Sequence, residues 1–173
     1  MDKESFFKEA VEANQDRIFR ICCCYALDPE DRRDIYQDTL IHIWNGLRTF
    51  SEGAPVSSWV CRIAVNTCLD HVRTGARRKR LLGKRIGGEA GGELENLPAD
   101  EPSPADERVR SLYGAIERLP LADKTLISLY LEDLSSADIA GVTGLSEGNV
   151  RVRIHRIKYE LRSIMNEVNN GTR

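Results

Sequence analysis

The sequence predicts an all-α protein: two small helical domains joined by a flexible acidic linker, the C-terminal one containing a helix-turn-helix. Three observations carry that expectation. Apolar residues recur at helical spacing, and no strand-like alternation stands out. Residues 87–107, GGEAGGELENLPADEPSPADE, hold four glycines, three prolines and seven acids without apolar periodicity. Such a segment cannot bury enough surface to offset the entropy of ordering it. The stretch ADIAGVTGLSEGNVRVRIHR, residues 137–156, reads as a short apolar helix that stops at Gly144 and restarts at Ser146, now rich in arginine. These features set domains at 1–82 and 108–170, with the linker at 83–107.

The N-terminal domain opens with a helix predicted from Lys3 to Leu27, ending before Asp28-Pro29. A second helix starts near Pro29 and runs through DRRDIYQDTLIHIWNGLRTF. The glycine and proline of SEGAP then break the chain. A last helix starts near Val56 or Ser57 and continues through SSWVCRIAVNTCLDHVRTGARRKR. Wound at about 100° per residue, it gathers Val60, Cys61, Ala64, Val65, Cys68, Leu69 and Val72 on one broad face, the expected core. The opposite face carries Trp59, Arg62, Asn66, Asp70 and Arg73, and leads into Arg77, Arg78, Lys79 and Arg80. An indole beside an arginine and an asparagine suits stacking on bases and reading them. The plain alternative is a solvated face whose tryptophan folds back onto a neighbour.

In the C-terminal domain Leu112, Ile116 and Leu119 form one apolar stripe, which stops at Pro120. A second helix is predicted over Ala122–Leu131 and a third over Ser136–Val142; Ser146 is a good N-cap for the fourth. A helix-turn-helix needs a small residue where its helices touch, a glycine to turn the chain and apolar inner faces. Ala140, Gly144 and Leu145 supply the contact, the turn and the plug, with Ile139 and Val150 packing the inner faces. In the fourth helix Val150, Ile154, Ile157, Leu161 and Ile164 face the core, while Gly148, Val152, His155, Arg156 and Tyr159 point outward. Asn149, Arg151 and Arg153 lie at its flanks, where phosphates would run if the helix sat in a major groove.

Bulk properties exclude several classes. The chain has 173 residues, 41% hydrophobic and 30% charged, with a net charge of −2, which argues against a general polyanion binder. The average hides strong patterning: seven bases and no acid between 73 and 85, seven acids and no base between 87 and 107. No stretch approaches the ~20 apolar residues of a membrane span, and the acidic, amphipathic start is not a secretory signal, so a cytoplasmic location is expected. The five cysteines, Cys22, Cys23, Cys24, Cys61 and Cys68, include no CxxC and are expected to be buried free thiols. His42, His71 and His155 stand alone, without HExxH, P-loop or GxSxG. No metal, cofactor, small-molecule substrate or catalytic activity is therefore expected.

Taken in order, DRRDIYQDTLIHIW, SSWVCRIAVNTCLDHVR, a linker and ERLPLADKTLISLYLEDLSSADIAGVTGLSEGNVRVRIHR resemble the extracytoplasmic-function (ECF) sigma factors. These are the smallest members of the sigma-70 family of bacterial transcription initiation factors. The resemblance covers nearly the whole chain except the linker. It implies two helical domains. One binds the beta-prime clamp of core RNA polymerase and opens the −10 promoter element. The other reads the −35 element as duplex and touches the beta flap. An anti-sigma factor is the implied regulator. Asp34, Gln37, Asp38 and Trp44 match the family's clamp-binding helix, with Leu40 and Ile41 adding apolar contact. Trp59, Arg62 and Asn66 match the −10 segment, Asn66 standing near a flipped-out base. Arg73, Arg77, Arg78, Lys79 and Arg80 would hold phosphates. Ser146, Asn149, Arg151, Val152, His155 and Arg156 match the −35 contact positions, and Arg153 flanks them. The family often has a small or hydroxyl residue at Val152 and threonine at Asn149, so the −35 sequence does not follow from the family.

A stand-alone helix-turn-helix regulator is the main alternative. It would need a dimer interface to span two half-sites. No heptad seam is present, and the face of Trp59, Arg62 and Asn66 would be left without a role.

Overall fold

The structure, a computed structural model, describes residues 2–50, 55–81 and 104–170, with side chains within 2–50, 55–75 and 107–167. Every element among the described residues is a helix. The chain divides into two compact units, Met1–Glu95 and Asn96–Arg173. No described helix is long and apolar enough to cross a membrane.

The first unit holds α1 (Lys3–Glu12), α2 (Gln15–Tyr25), α3 (Pro29–Gly46) and α4 (Val56–Leu81). The single helix expected from Lys3 to Leu27 is in fact two. Asn14 breaks it: its side-chain amide donates to the Ala10 carbonyl at 2.8 Å, and its backbone N–H bonds Val11 rather than continuing the ladder. Asparagine competes with the helix in this way through its short polar side chain. The break lets α1 fold back on α3 and α4. Phe6 stacks on Phe50 at 5.3 Å between ring centroids, and Phe7 meets Trp44 edge-on at 5.2 Å.

The turn into α3 follows from its residues. Asp28 caps the helix, accepting from the backbone N–H groups of Glu30 (2.8 Å) and Asp31 (3.2 Å). Pro29 occupies the first turn, where its missing N–H costs nothing. Arg32 is buried, and its guanidinium donates to the carbonyls of Ala26 (3.2 Å) and Leu27 (2.8 Å). Those carbonyls, at the negative end of α2, compensate the buried charge.

α2 packs on α3 and α4, and α3 on α4. The core they share includes Ile18, Ile21, Cys22, Ile35, Ile43, Val60, Cys61, Ala64, Val65 and Cys68. The face assigned to α4 from periodicity is thus the buried one, with Leu69 and Val72 half-buried at its rim. All five cysteines are buried free thiols. A hydrogen bond with Cys22, reinforced by burial, pushes the Cys68 thiol well up from its ordinary pKa. Burial raises Cys23 to about 11, against a smaller opposing pull from Arg32. Thiols held protonated in an apolar core pack as small hydrophobes and are poor nucleophiles.

The second unit holds α5 (Pro104–Glu117), α6 (Leu121–Leu131), α7 (Ser136–Thr143) and α8 (Glu147–Asn170). α5 begins at Pro104, a few residues before the domain start expected at residue 108. Proline is pre-shaped for the first helical turn, and Asp106 and Glu107 follow where acids favour a helix start. The rest of the linker lies outside the described residues. α8 is the central helix, packed by α5, α6 and α7. Val150, Ile154, Ile157 and Leu161 are buried beside Ile116, Leu126, Ile127, Leu129 and Ile139.

α7 and α8 form the helix-turn-helix. Ser135 caps α7, accepting from the Asp138 N–H at 3.1 Å while its hydroxyl donates to the Asp138 carboxylate at 2.6 Å. Gly144 ends α7 at φ +74°, the left-handed conformation. Ser146 caps α8, accepting from the Asn149 N–H at 3.3 Å. Ala140 and Leu145 sit half-buried in the angle between the helices. A Cβ at Gly144 would meet open space, so its cost is backbone strain alone. Gly144→Ala is expected to destabilise the second unit by about 1–2 kcal/mol. Urea unfolding followed by circular dichroism measures this.

Candidate functional site

Three side-chain groups matter, one on each of α3, α4 and α8. On α3, buried Ile35, Thr39 and Ile43 fix the inward face, so the opposite row faces solvent. Asp34, Gln37, Asp38 and Ile41 make up that exposed row, with Ile41 55% exposed. Two carboxylates, an amide and an isoleucine are thus open to water along one face. Leu40 is half-buried at the side of the row. Trp44 lies one turn on, 38% exposed, with the Lys3 ammonium 4.2 Å over its ring. Phe7 covers one side of that indole, so α1 shapes this end of the surface.

On α4, Arg62, Asn66, Asp70 and Arg73 are exposed as expected. Arg73 pairs with Asp70 at 3.2 Å in solvent, a contact weak enough to exchange for another anion. Trp59 is different. Its indole is half-buried and packs on Phe50, at 4.9 Å between centroids. Gly46 makes room for it: a Cβ there would meet Trp59 Cζ2 at 3.1 Å. Trp59 thus packs the start of α4 against the end of α3 while staying part-open, beside the exposed Arg62 and Asn66. The side chains of Arg77, Arg78, Lys79 and Arg80 lie outside the described residues.

On α8, Asn149, Arg151, Val152, His155 and Arg156 are exposed, with Val152 at 53% and Tyr159 at 77%. Ser146 is exposed too, its hydroxyl engaged in capping. Arg151 pairs with Glu147 one turn earlier on the same exposed side. Arg153, expected at the flank of this row, makes an ion pair of its own. It is half-buried and reaches across to α6, where Asp123 holds it at 2.5 Å. That ion pair ties α8 to α6. Sequence reasoning had no signal for it, since Asp123 lies thirty residues away.

Two helical units, the second carrying a helix-turn-helix with an open arginine- and histidine-bearing helix, define a class by fold: a two-domain, all-helical protein. Comparison with known proteins narrows it. The family model for sigma-70 region 2 matches residues 10–78, and that for sigma-70 region 4 matches residues 110–161. The ECF RNA polymerase sigma factor SigE of Mycolicibacterium smegmatis is 29% identical over 163 residues, covering 91% of this chain and 60% of SigE. SigW of Bacillus subtilis is 26% identical, covering 94% of this chain and 90% of SigW. Among solved structures, the sigma factor RpoE of Bartonella quintana, in complex with the anti-sigma factor NepR, aligns with a TM-score of 0.72 at 18% identity. That alignment covers 92% of this chain and 96% of RpoE. CnrH, solved with the cytosolic domain of CnrY, aligns with a TM-score of 0.66. The chain belongs to the sigma-70 family, in its ECF group.

Proposed function

We infer that the protein is a promoter-specificity subunit of bacterial RNA polymerase. It binds core enzyme through α3, holds opened −10 DNA on α4 and reads the −35 duplex with α8. The observation that carries this reading is the coincidence of family regions 2 and 4, in order, with two helical units whose matching rows are open to solvent. Polymerase performs the chemistry, in the cytoplasm, and this chain chooses where it starts. A stand-alone regulator would leave the acidic row on α3 unused.

In this reading Asp34, Gln37, Asp38 and Ile41 meet the beta-prime clamp, with Leu40 and Trp44 bordering the contact. Asn66 can both donate to and accept from a base edge, and Arg62 and Arg73 approach the strand from the same side of α4. Arg77, Arg78, Lys79 and Arg80 extend that basic track along the strand. On α8, Arg156 and His155 read base edges, Val152 meets a thymine methyl, and Asn149, Arg151 and Ser146 border the groove. Arg153 acts on the scaffold through Asp123. The second unit is also the one that would touch the beta flap. Because RpoE and CnrH were solved with protein partners, an anti-sigma factor is the regulator this reading calls for, covering the polymerase-binding surfaces.

The experiment is co-elution of the protein with core polymerase in gel filtration, followed by promoter binding by the reconstituted complex. Arg156→Ala is expected to weaken promoter binding by about 1–3 kcal/mol and to relax sequence preference at one −35 position. A uniform loss across all sequences would make Arg156 a phosphate contact instead.

A further inference from the structure

The polar link between α3 and α4 assigns one more residue. Thr67, buried on α4, has its Oγ1 2.9 Å from the Ile63 carbonyl and 2.9 Å from Nδ1 of His42 on α3. A hydroxyl has a single proton, and a carbonyl oxygen can only accept. The Thr67 proton therefore goes to Ile63, and its lone pair accepts from His42. Satisfying both contacts requires the ring proton of His42 on Nδ1, in the neutral ring as in the cation. Nε2, across the ring, points away from that bond.

The positions of the two residues give the bond its consequence. His42 follows Ile41 and stands one turn beyond Asp38, beside the row proposed to meet polymerase. Thr67 follows Asn66, the residue proposed to take a base. Apolar packing between α3 and α4 is non-directional; a hydrogen bond is directional and fixes how one helix is rotated against the other. We propose that His42 is a positioning residue: its Nδ1–H bond to Thr67 ties the polymerase-facing helix to the turn of α4 that aims Asn66. The inference rests on the function proposed above and adds to it a route by which docking on α3 holds the reading residue on α4 in register.

The test uses the full chain with core polymerase and reads two quantities: affinity for core, and opening of a promoter followed by fluorescence of a base analogue in the −10 element. His42→Asn keeps a donor at the place of Nδ1, whereas His42→Gln moves its amide out to the place of Nε2. Thr67→Val removes the acceptor at nearly constant shape, and Thr67→Ser restores it. Expected is a loss of about tenfold in opening for His42→Gln and Thr67→Val, with core affinity unchanged and both conservative variants close to wild type. Nitrogen chemical shifts of His42 should report a protonated Nδ1. Because His42 is exposed, its variants carry the test even where Thr67→Val folds poorly. Opening retained by His42→Gln and lost by His42→Asn would overturn the proposal in favour of the outward nitrogen. Equal loss of core affinity and opening would reduce the bond to plain stability and also overturn it. Wild-type protein that opens no promoter would instead overturn the function itself, a failure that is separately visible.

Discussion

Asn66→Ala is expected to cut promoter opening by about 10- to 100-fold while leaving core polymerase affinity where it was. The size follows from the contact. A bidentate asparagine–base contact is worth roughly 1–3 kcal/mol of discrimination. Extracting a base from the stack costs a few kcal/mol, which the receiving side chains must supply. The split between opening and affinity follows from placement: Asn66 is exposed on α4, whereas the row proposed for polymerase is on α3. Folding should not suffer, because the side chain is open to solvent and alanine is the better helix former. Opening followed at −10, beside a binding isotherm for core enzyme, gives both numbers. Undiminished opening on promoters differing at −10 would remove Asn66 from base capture.

Asp38→Arg is expected to weaken core association by several kcal/mol. Asp38 sits in the middle of the exposed row of α3, between Asp34 and Ile41, one turn from each on either side or nearly so. Reversing its charge replaces an attraction with a like-charge contact against a basic partner surface, and such juxtapositions cost several kcal/mol. Asp38→Asn, which removes the charge without reversing it, should lose less. Fluorescence anisotropy of the labelled full chain against core polymerase measures the series. Identical affinities for wild type and Asp38→Arg would take this row out of the interface.

The helical architecture was legible because each helix announces its inward face. In α8 the run Val150, Ile154, Ile157 and Leu161 fixes the buried side, and the outward row of Val152, His155 and Arg156 follows from periodicity alone. The same reasoning placed Cys61 and Cys68 in the core of α4. The turn at Gly144 and the cap at Ser146 were readable because only a few residue types serve there. What escaped depends on contacts between residues distant in sequence. The ion pair of Arg153 with Asp123 joins two helices and has no local sequence signal. The packing of Trp59 on Phe50 beside Gly46 joins residues whose contact the spacing does not announce. The break at Asn14 turns on a local competition between side chain and backbone that apolar spacing does not register. The link from His42 to Thr67 has no sequence signature, since the two lie twenty-five residues apart.

Run-off transcription tests the central claim most directly. Core bacterial RNA polymerase, with and without the protein, is given sheared genomic DNA from the host, and the 5′ ends of the transcripts are sequenced. The account predicts discrete start sites that appear only when the protein is present, each preceded by two shared sequence elements. It would be contradicted by an unchanged set of starts together with tight, sequence-specific duplex binding by the protein alone, the behaviour of a stand-alone regulator.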